Sequence, residues 1–156
     1  MKSWAIYIAA ALGFAIYGAS TNVDRDDNGD IVGSGSVDAF NVQVGDCFND
    51  TMSFNDEVTS VPGVPCTEPH DNEAFAVFDV DLDGYPNEDD MGELAYNSCL
   101  TRFESFVGNE YDSSVLEINM IYPTSESWAQ NDREVVCAVF DMNGEKLVDS
   151  ARGRGL

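Results

Sequence analysis

Four cysteines constrain the fold more than any other feature of the sequence; they are Cys47, Cys66, Cys99 and Cys137. An even number of cysteines in an exported domain indicates disulfide bonds, because an oxidising compartment forms them and no thiol is left over. Four cysteines allow three pairings. The sequence therefore predicts two covalent links, provided that the chain leaves the cytoplasm.

The N-terminus carries a segment suited to a membrane. From Trp4 to Ala19 no residue is charged or strongly polar. As a helix this segment would span about 24 Å, less than the roughly 30 Å hydrocarbon core, which fits a signal peptide or a short anchor. Its aromatic residues favour a retained signal anchor, which would span residues 1–21; the alternative is cleavage followed by secretion. Lys2 predicts a cytoplasmic N-terminus and an extracytoplasmic remainder.

Residues 22–38 are rich in Asp, Gly and Ser, which predicts an acidic tether or an irregular hairpin before a domain at residues 39–153. The run from Asp24 to Ile31 copies the first eight positions of a calcium-binding loop. Position 12 falls on Gly35, where a bidentate glutamate is required. We expect a solvated turn there and no metal.

The domain itself shows strand patterns on both sides of one helix. Strands are predicted at residues 40–44, 73–80, 115–122 and 134–140. Residues 73–80 are apolar on both faces, which indicates a central strand. Asn143-Gly144 predicts a type I′ hairpin that returns at Lys146. With too few helices for crossovers, the sequence predicts an α+β domain with a mostly antiparallel sheet and one main helix packed on it.

The predicted helix runs from Asn87, a capping residue, to Val107, with Gly108 just beyond its end. Its apolar residues recur at steps of three and four, which places Cys99 on the face toward the core. Cys137 lies in the middle of a predicted strand, whereas Cys47 and Cys66 lie at strand edges within one short segment. We therefore predict disulfides Cys47–Cys66 and Cys99–Cys137.

The charge balance excludes some partners. The chain has 29 acidic and 7 basic residues, a net charge of −22. This charge repels nucleic-acid phosphates and anionic lipid headgroups, and no basic patch offsets it. Nucleic acid is therefore not an expected partner, and adaptation to a saline medium is one interpretation of the charge.

Two short stretches hold the candidate binding residues. His70, the one histidine, follows Pro69 and precedes Asp71 and Glu73, which predicts a polar recognition edge beside a rigid strand. A turn histidine bonded to backbone is the alternative. Cys66 and His70 would form a catalytic pair only if Cys66 were unpaired, and a zinc site lacks a matching second pair of ligands.

The second stretch contains Trp128 and Arg133. A tryptophan in such a loop is either a core residue or an exposed anchor for a partner. Arg133 is interpreted as a local charge partner and, with Trp128, as a candidate binding residue.

The ordered motifs resemble the actinobacterial septum formation family over residues 22–153. The resemblance rests on Phe40-x-Val42-x-Val44-Gly45-Asp46-Cys47, Val64-Pro65-Cys66-x-x-Pro69-His70-Asp71-x-Glu73, Cys99 in a helix, and Pro123-Thr124-x-x-Ser127-Trp128-x-x-x-Asp132-Arg133-x-Val135-Val136-Cys137. It implies an envelope-facing domain associated with cell division, beside a membrane span, with no established enzymatic activity or cofactor.

These observations together predict a membrane-anchored extracytoplasmic binding or scaffold module, without a cofactor, whose partner is an envelope or division protein. The alternative function is an exported envelope hydrolase that uses His70 with an acidic partner.

If the acidic excess is an adaptation to salt, the melting temperature will rise as NaCl is increased, because counter-ions screen the repulsion among carboxylates. Thermal unfolding followed by circular dichroism from low to high NaCl measures this. A melting temperature that does not change across the series would contradict the salt-adaptation interpretation.

Overall fold

A computed structural model describes residues 22–50 and 58–156 of the chain. The segment predicted as a signal anchor lies outside the described residues. Within residues 22–50 and 58–156, no helix combines the length and apolar character that crossing a bilayer requires.

A six-stranded antiparallel sheet forms the frame of the domain, in the order β3-β5-β4-β6-β8-β7. Its strands are β3 (Gly35–Asp38), β4 (Cys47–Phe48), β5 (Ser60–Val64), β6 (Asn72–Asp79), β7 (Leu116–Ile121) and β8 (Glu134–Asp141). A separate two-stranded hairpin joins β1 (Asp24–Arg25) to β2 (Ile31–Gly33). The predicted strands at 73–80, 115–122 and 134–140 are confirmed, and β6 has a neighbour on each side, as a central strand should.

The main helix, α1 (Glu88–Val107), is also confirmed together with its ends. The Asn87 side chain accepts a hydrogen bond from the Asp90 amide, and three acidic residues occupy the first turn, where the helix dipole favours anions. Gly108 ends the helix in a left-handed conformation at φ 82°. The inner face of α1 packs on β6 and β7 and buries Met91, Ala95, Cys99, Phe103, Phe106 and Val107. The α+β fold class is thus confirmed.

Both disulfides have the predicted pairing. Cys47–Cys66 joins β4 to the turn after β5, with Cα atoms 5.2 Å apart. Cys99–Cys137 joins α1 to β8, with Cα atoms 5.6 Å apart, and both of its residues are fully buried. Each link restricts the unfolded chain and typically adds about 2–4 kcal/mol to stability.

The second face of the sheet has its own small core, and part of residues 22–38 belongs to it. Residues 22–38 were predicted as a tether or hairpin outside the domain, but the structure folds them into it. Ile31 of β2 and Val37 of β3 are buried together with Val61 and Ala74. These two apolar side chains, which the average composition of the segment hides, pack the polar segment onto this face of the sheet.

The predicted strand at residues 40–44 is wrong. Ala39–Asn41 instead form a 3-10 turn capped by the Asp38 side chain, which accepts a hydrogen bond from the Phe40 amide. The Asp46 carboxylate accepts from the Gln43 amide at 2.8 Å and holds the following turn. These local side-chain bonds compete with a strand ladder. The strand that pairs with β3 and β4 is β5. It contains Pro62 and Gly63, residues that are unusual inside strands, so the sequence pattern does not reveal it.

The predicted hairpin after Asn143-Gly144 is also wrong. The turn exists, with Gly144 at φ 73°, but the chain does not return along β8. Both edges of β8 are already hydrogen-bonded, to β6 and to β7, so no edge is free for another strand. Leu147 pairs with His70 instead.

One ion pair attaches the β1–β2 hairpin to the rest of the domain. The Arg25 guanidinium donates to both carboxylate oxygens of Asp46 at 2.6 and 2.7 Å, and it also donates to the Gly29 carbonyl. The Asp46 side chain is only 4% exposed and that of Arg25 only 20% exposed. A bidentate, largely buried pair of this kind is much less screened by water than a surface pair.

Arg25→Ala should lower the free energy of unfolding by about 2 kcal/mol, because it leaves the buried Asp46 carboxylate without its cation. Lys146→Ala is the matched control, since it breaks an ion pair to Asp71 in which the lysine side chain is 47% exposed; it should lower stability by at most about 1 kcal/mol. Urea unfolding curves measure both values, and equal losses would contradict the importance assigned to the Arg25 pair.

Candidate functional site

His70 lies at the entry to β6 and is fully buried. Its backbone exchanges two hydrogen bonds with Leu147. The ring nitrogen Nδ1 lies 2.7 Å from the Glu68 carbonyl, which can only accept, so Nδ1 carries the proton and donates. Nε2 is buried, and no described side chain or backbone group bonds to it. The ring thus fastens a turn, as the turn-histidine alternative expected.

Glu73 is fully buried as well, one strand position inside β6. Its two carboxylate oxygens accept hydrogen bonds from the Ser150 hydroxyl at 2.5 Å and the Ala151 amide at 2.6 Å. Beyond these contacts, the Gly153 and Gly155 amides donate to the Phe106 and Val107 carbonyls at the end of α1. Glu73 therefore secures a C-terminal segment that closes the helix end.

Asp71 is the one member of the predicted recognition edge with a partly accessible side chain, 25% exposed. Partial burial by itself raises the pKa of Asp71, but the hydrogen bond and charge of Lys146 and the bond from the Asp50 amide outweigh it. The pKa of Asp71 consequently lies below its usual value. Since His70 and Glu73 are buried, the predicted polar edge is not a surface patch in this structure, and binding by these residues stays a prediction.

The arrangement around Cys66 bears on the catalytic and zinc alternatives. The sulfur atoms of Cys47 and Cys66 and a Glu73 oxygen lie within 4.8 Å of one another. The two sulfurs are joined in a disulfide, so neither is a thiolate, and both Glu73 oxygens already accept hydrogen bonds. In this state of the protein, Cys66 offers neither a nucleophile nor a zinc ligand.

Trp128 and Arg133 form one compact unit around a short helix, α2 (Ser125–Ala129). A reciprocal pair of bonds between Thr124 and Ser127 begins α2. Trp128 is 9% exposed and packs near Tyr85, with ring centroids 5.8 Å apart. The Arg133 guanidinium lies 3.5 Å from the Trp128 ring centroid and donates to the Trp128 carbonyl. Trp128 thus corresponds to the core interpretation, and its binding role stays a prediction.

Beside this unit runs an open groove that sequence reasoning did not find. One wall of the groove is formed by the 3-10 turn and the start of β5. The other wall is formed by the end of β7, by α2 and by the start of β8. One part encloses about 470 Å³ and an adjoining part about 570 Å³, and the two parts share Phe40, Thr59, Ser127, Asp132 and Glu134. The Phe40 ring is 59% exposed at its rim.

The groove is acidic. Asp79 of β6 and Glu134 of β8 stand directly opposite each other in the strand ladder, a placement that destabilises a sheet when the charges are alike. Asp132 adds a third carboxylate, whose oxygens accept from the Ser127 hydroxyl at 2.7 Å and the Glu134 amide at 3.0 Å. Burial, followed by the charges of Asp79, Asp132 and Asp38, raises the pKa of Glu134.

Sequence reasoning missed these residues because the groove depends on strand register. Asp79 and Glu134 are 55 positions apart in the sequence and meet only through the pairing of β6 with β8. Phe40 was taken as the first residue of a strand rather than as an exposed ring. The one local signal was the position of both carboxylates at the polar ends of predicted strands.

Comparison with known proteins adds one positive finding. A family model described as septum formation matches residues 44–154. A search of curated proteins found no match, and neither did a search of solved structures.

Glu134→Gln should stabilise the protein at neutral pH by about 0.5 kcal/mol, because it removes a repulsion between paired strands. The folded state raises the pKa of Glu134, so the folded state is favoured while this carboxyl is protonated, and that advantage is lost as pH rises through the raised pKa. The gain from Glu134→Gln should therefore shrink as pH falls to about 4, where most glutamate carboxyls are protonated in the unfolded state as well.

The matched control is Glu104→Gln on the exposed face of α1, which removes the same charge far along the chain from β8. Thermal unfolding of both variants at pH 7 and pH 4 measures the difference. A Glu134→Gln protein no more stable than Glu104→Gln at pH 7 would contradict the repulsion described for the groove.

Proposed function

This chain belongs to the septum formation family, and from that premise we propose that it serves cell division as an extracytoplasmic binding module anchored by residues 1–21. Family membership supports the division-related role. The acidic groove with the exposed Phe40 ring supports the binding role, because it is an accessible concave surface with both apolar and charged walls.

The disulfides support the extracytoplasmic side of the proposal. All four cysteines are paired, and disulfides persist in oxidising compartments. The uncharged run from Trp4 to Ala19 supports the anchor, with cleavage and secretion as the alternative. If the anchor is retained, residues 22–38, which fold against the sheet, would leave little slack between the membrane segment and the domain.

The alternative, an envelope hydrolase that uses His70, is not favoured. A general base must come within hydrogen-bond reach of its substrate. The His70 ring is fully buried, its Nδ1 is bonded to the Glu68 carbonyl, and its backbone is paired with Leu147. Reaching a substrate would require this turn to open.

A fluorescently tagged full-length chain should concentrate at the division site, and Phe40→Ser combined with Glu134→Gln should make its envelope signal diffuse. Both side chains line the groove and neither is fully buried, so the fold should be retained. The control Glu104→Gln should localise as the wild type does. Fluorescence microscopy of dividing cells, with western blots to equalise expression, measures the outcome.

A wild-type signal that is spread evenly around the envelope would contradict the division role. A groove variant that concentrates at the septum as strongly as the wild type would contradict the binding role of the groove. Mass spectrometry of the protein from the membrane fraction and from the culture medium separates the two forms of export, since an anchored chain keeps residues 1–21 and stays with the membrane.

A further inference from the structure

We propose that the groove binds an extended cationic segment of a partner protein, with an apolar side chain against Phe40 and a lysine or arginine between Asp79 and Glu134. This inference rests on the proposed binding function and names the chemistry of the partner.

The walls of the groove supply apolar contact. Its lining includes Ile121 and Tyr122 at the end of β7, Val136 of β8, and Val58. A volume of about 470 Å³ falls in the range of about 300–1,000 Å³ that ligand sites occupy. Phe40 stands at the rim and exposes more than half of its surface. A partner side chain that covers this ring would remove a large apolar area from water.

The charge of the groove selects the sign of the occupant. Among the residues that the structure describes, four carboxylates line it, those of Asp79, Glu88, Asp132 and Glu134. Arg133 is the basic residue in that lining, and its guanidinium lies on the Trp128 ring and bonds to two backbone carbonyls. Four carboxylates against one guanidinium leave the described lining net negative, so it would attract a cationic segment, and the net charge of −22 would steer that segment toward the domain. The same charge disfavours a second copy of this chain as the occupant.

The register of two of these carboxylates shows where in the groove a cation would lie. Asp79 and Glu134 oppose each other across β6 and β8, where a neutral or opposite pair would favour the sheet. Proteins break such local pairing rules mainly at functional sites, because function requires an arrangement that folding alone would not select. A cation placed between the two carboxylates would turn the repulsion into attraction.

The test uses the full-length protein. The probe is an eight-residue, fluorescein-labelled peptide in which lysine alternates with valine. Fluorescence anisotropy at low salt and at about 0.5 M NaCl gives the dissociation constant. Peptides with serine or glutamate in place of lysine are the matched controls for charge. We expect the lysine peptide alone to bind, and more weakly at high salt.

The variants separate a site from diffuse attraction. Asp79→Asn with Glu134→Gln should weaken binding about tenfold, and Phe40→Ser should weaken it by a similar factor. Glu93→Gln with Glu104→Gln removes two exposed carboxylates of α1 and should change binding by less than about twofold. Because the first double variant should be at least as stable as the wild type, a loss of binding would not reflect unfolding.

Several results would overturn this inference. Equal weakening by the two double variants would show attraction to the whole acidic surface rather than to the groove. Serine and lysine peptides of equal affinity would contradict the charge selection. Displacement of the peptide by millimolar calcium in the wild type, with no effect of Phe40→Ser, would identify a cation site instead. Absence of peptide binding alongside normal septal localisation would contradict the cationic partner while leaving the division role in place.

Discussion

The structure depends on the burial of one strand, β6, on both of its faces. On one face Phe75 packs against Phe103 and Phe106 of α1; on the other, Ala74 joins the core that the N-terminal segment covers. At its start, His70 pairs with Leu147 and Glu73 holds Ser150 and Ala151. Because the strand is enclosed, its polar groups must find partners inside the protein, and the partners of Glu73 attach the C-terminal segment to the sheet.

The parts of the fold that could be predicted from the sequence are those that local pattern determines. The both-sided apolar run of β6 and the three- and four-residue spacing of α1, with Asn87 and Gly108 at its ends, are visible within one segment. The Cys99–Cys137 pairing followed from placing one cysteine on the helix face and the other mid-strand. Where the sequence misled, the outcome was decided by a side-chain bond or a strand pairing that the apolar pattern does not encode. The Asp46 carboxylate turns the chain at Gln43, and a β8 strand with both edges occupied sends Leu147 to His70.

The candidate site shows the same difference between what local sequence pattern predicts and what strand pairing decides. The residues that stood out by type, His70, Glu73 and Trp128, are buried and hold turns and tails in place, a use that small domains make of rare or polar side chains, and their binding roles stay predictions. The groove is built from ordinary residues, and their significance comes from register. Asp79 and Glu134 become neighbours only through the pairing of β6 with β8. The opposed carboxylates weaken the domain slightly, whereas the two disulfides and the Arg25–Asp46 pair strengthen it, so the domain can carry an unfavourable surface without losing its fold.

We propose that the groove beside α2 is the surface through which this domain binds its partner. The direct measurement is amide chemical-shift mapping of the isotope-labelled domain titrated with the lysine–valine peptide. We expect the largest shifts at Phe40, Ile121 and Glu134 and no shift at the amide of the exposed Val148. Largest shifts at Val148 and along the outer face of α1, with the groove amides unchanged, would contradict it.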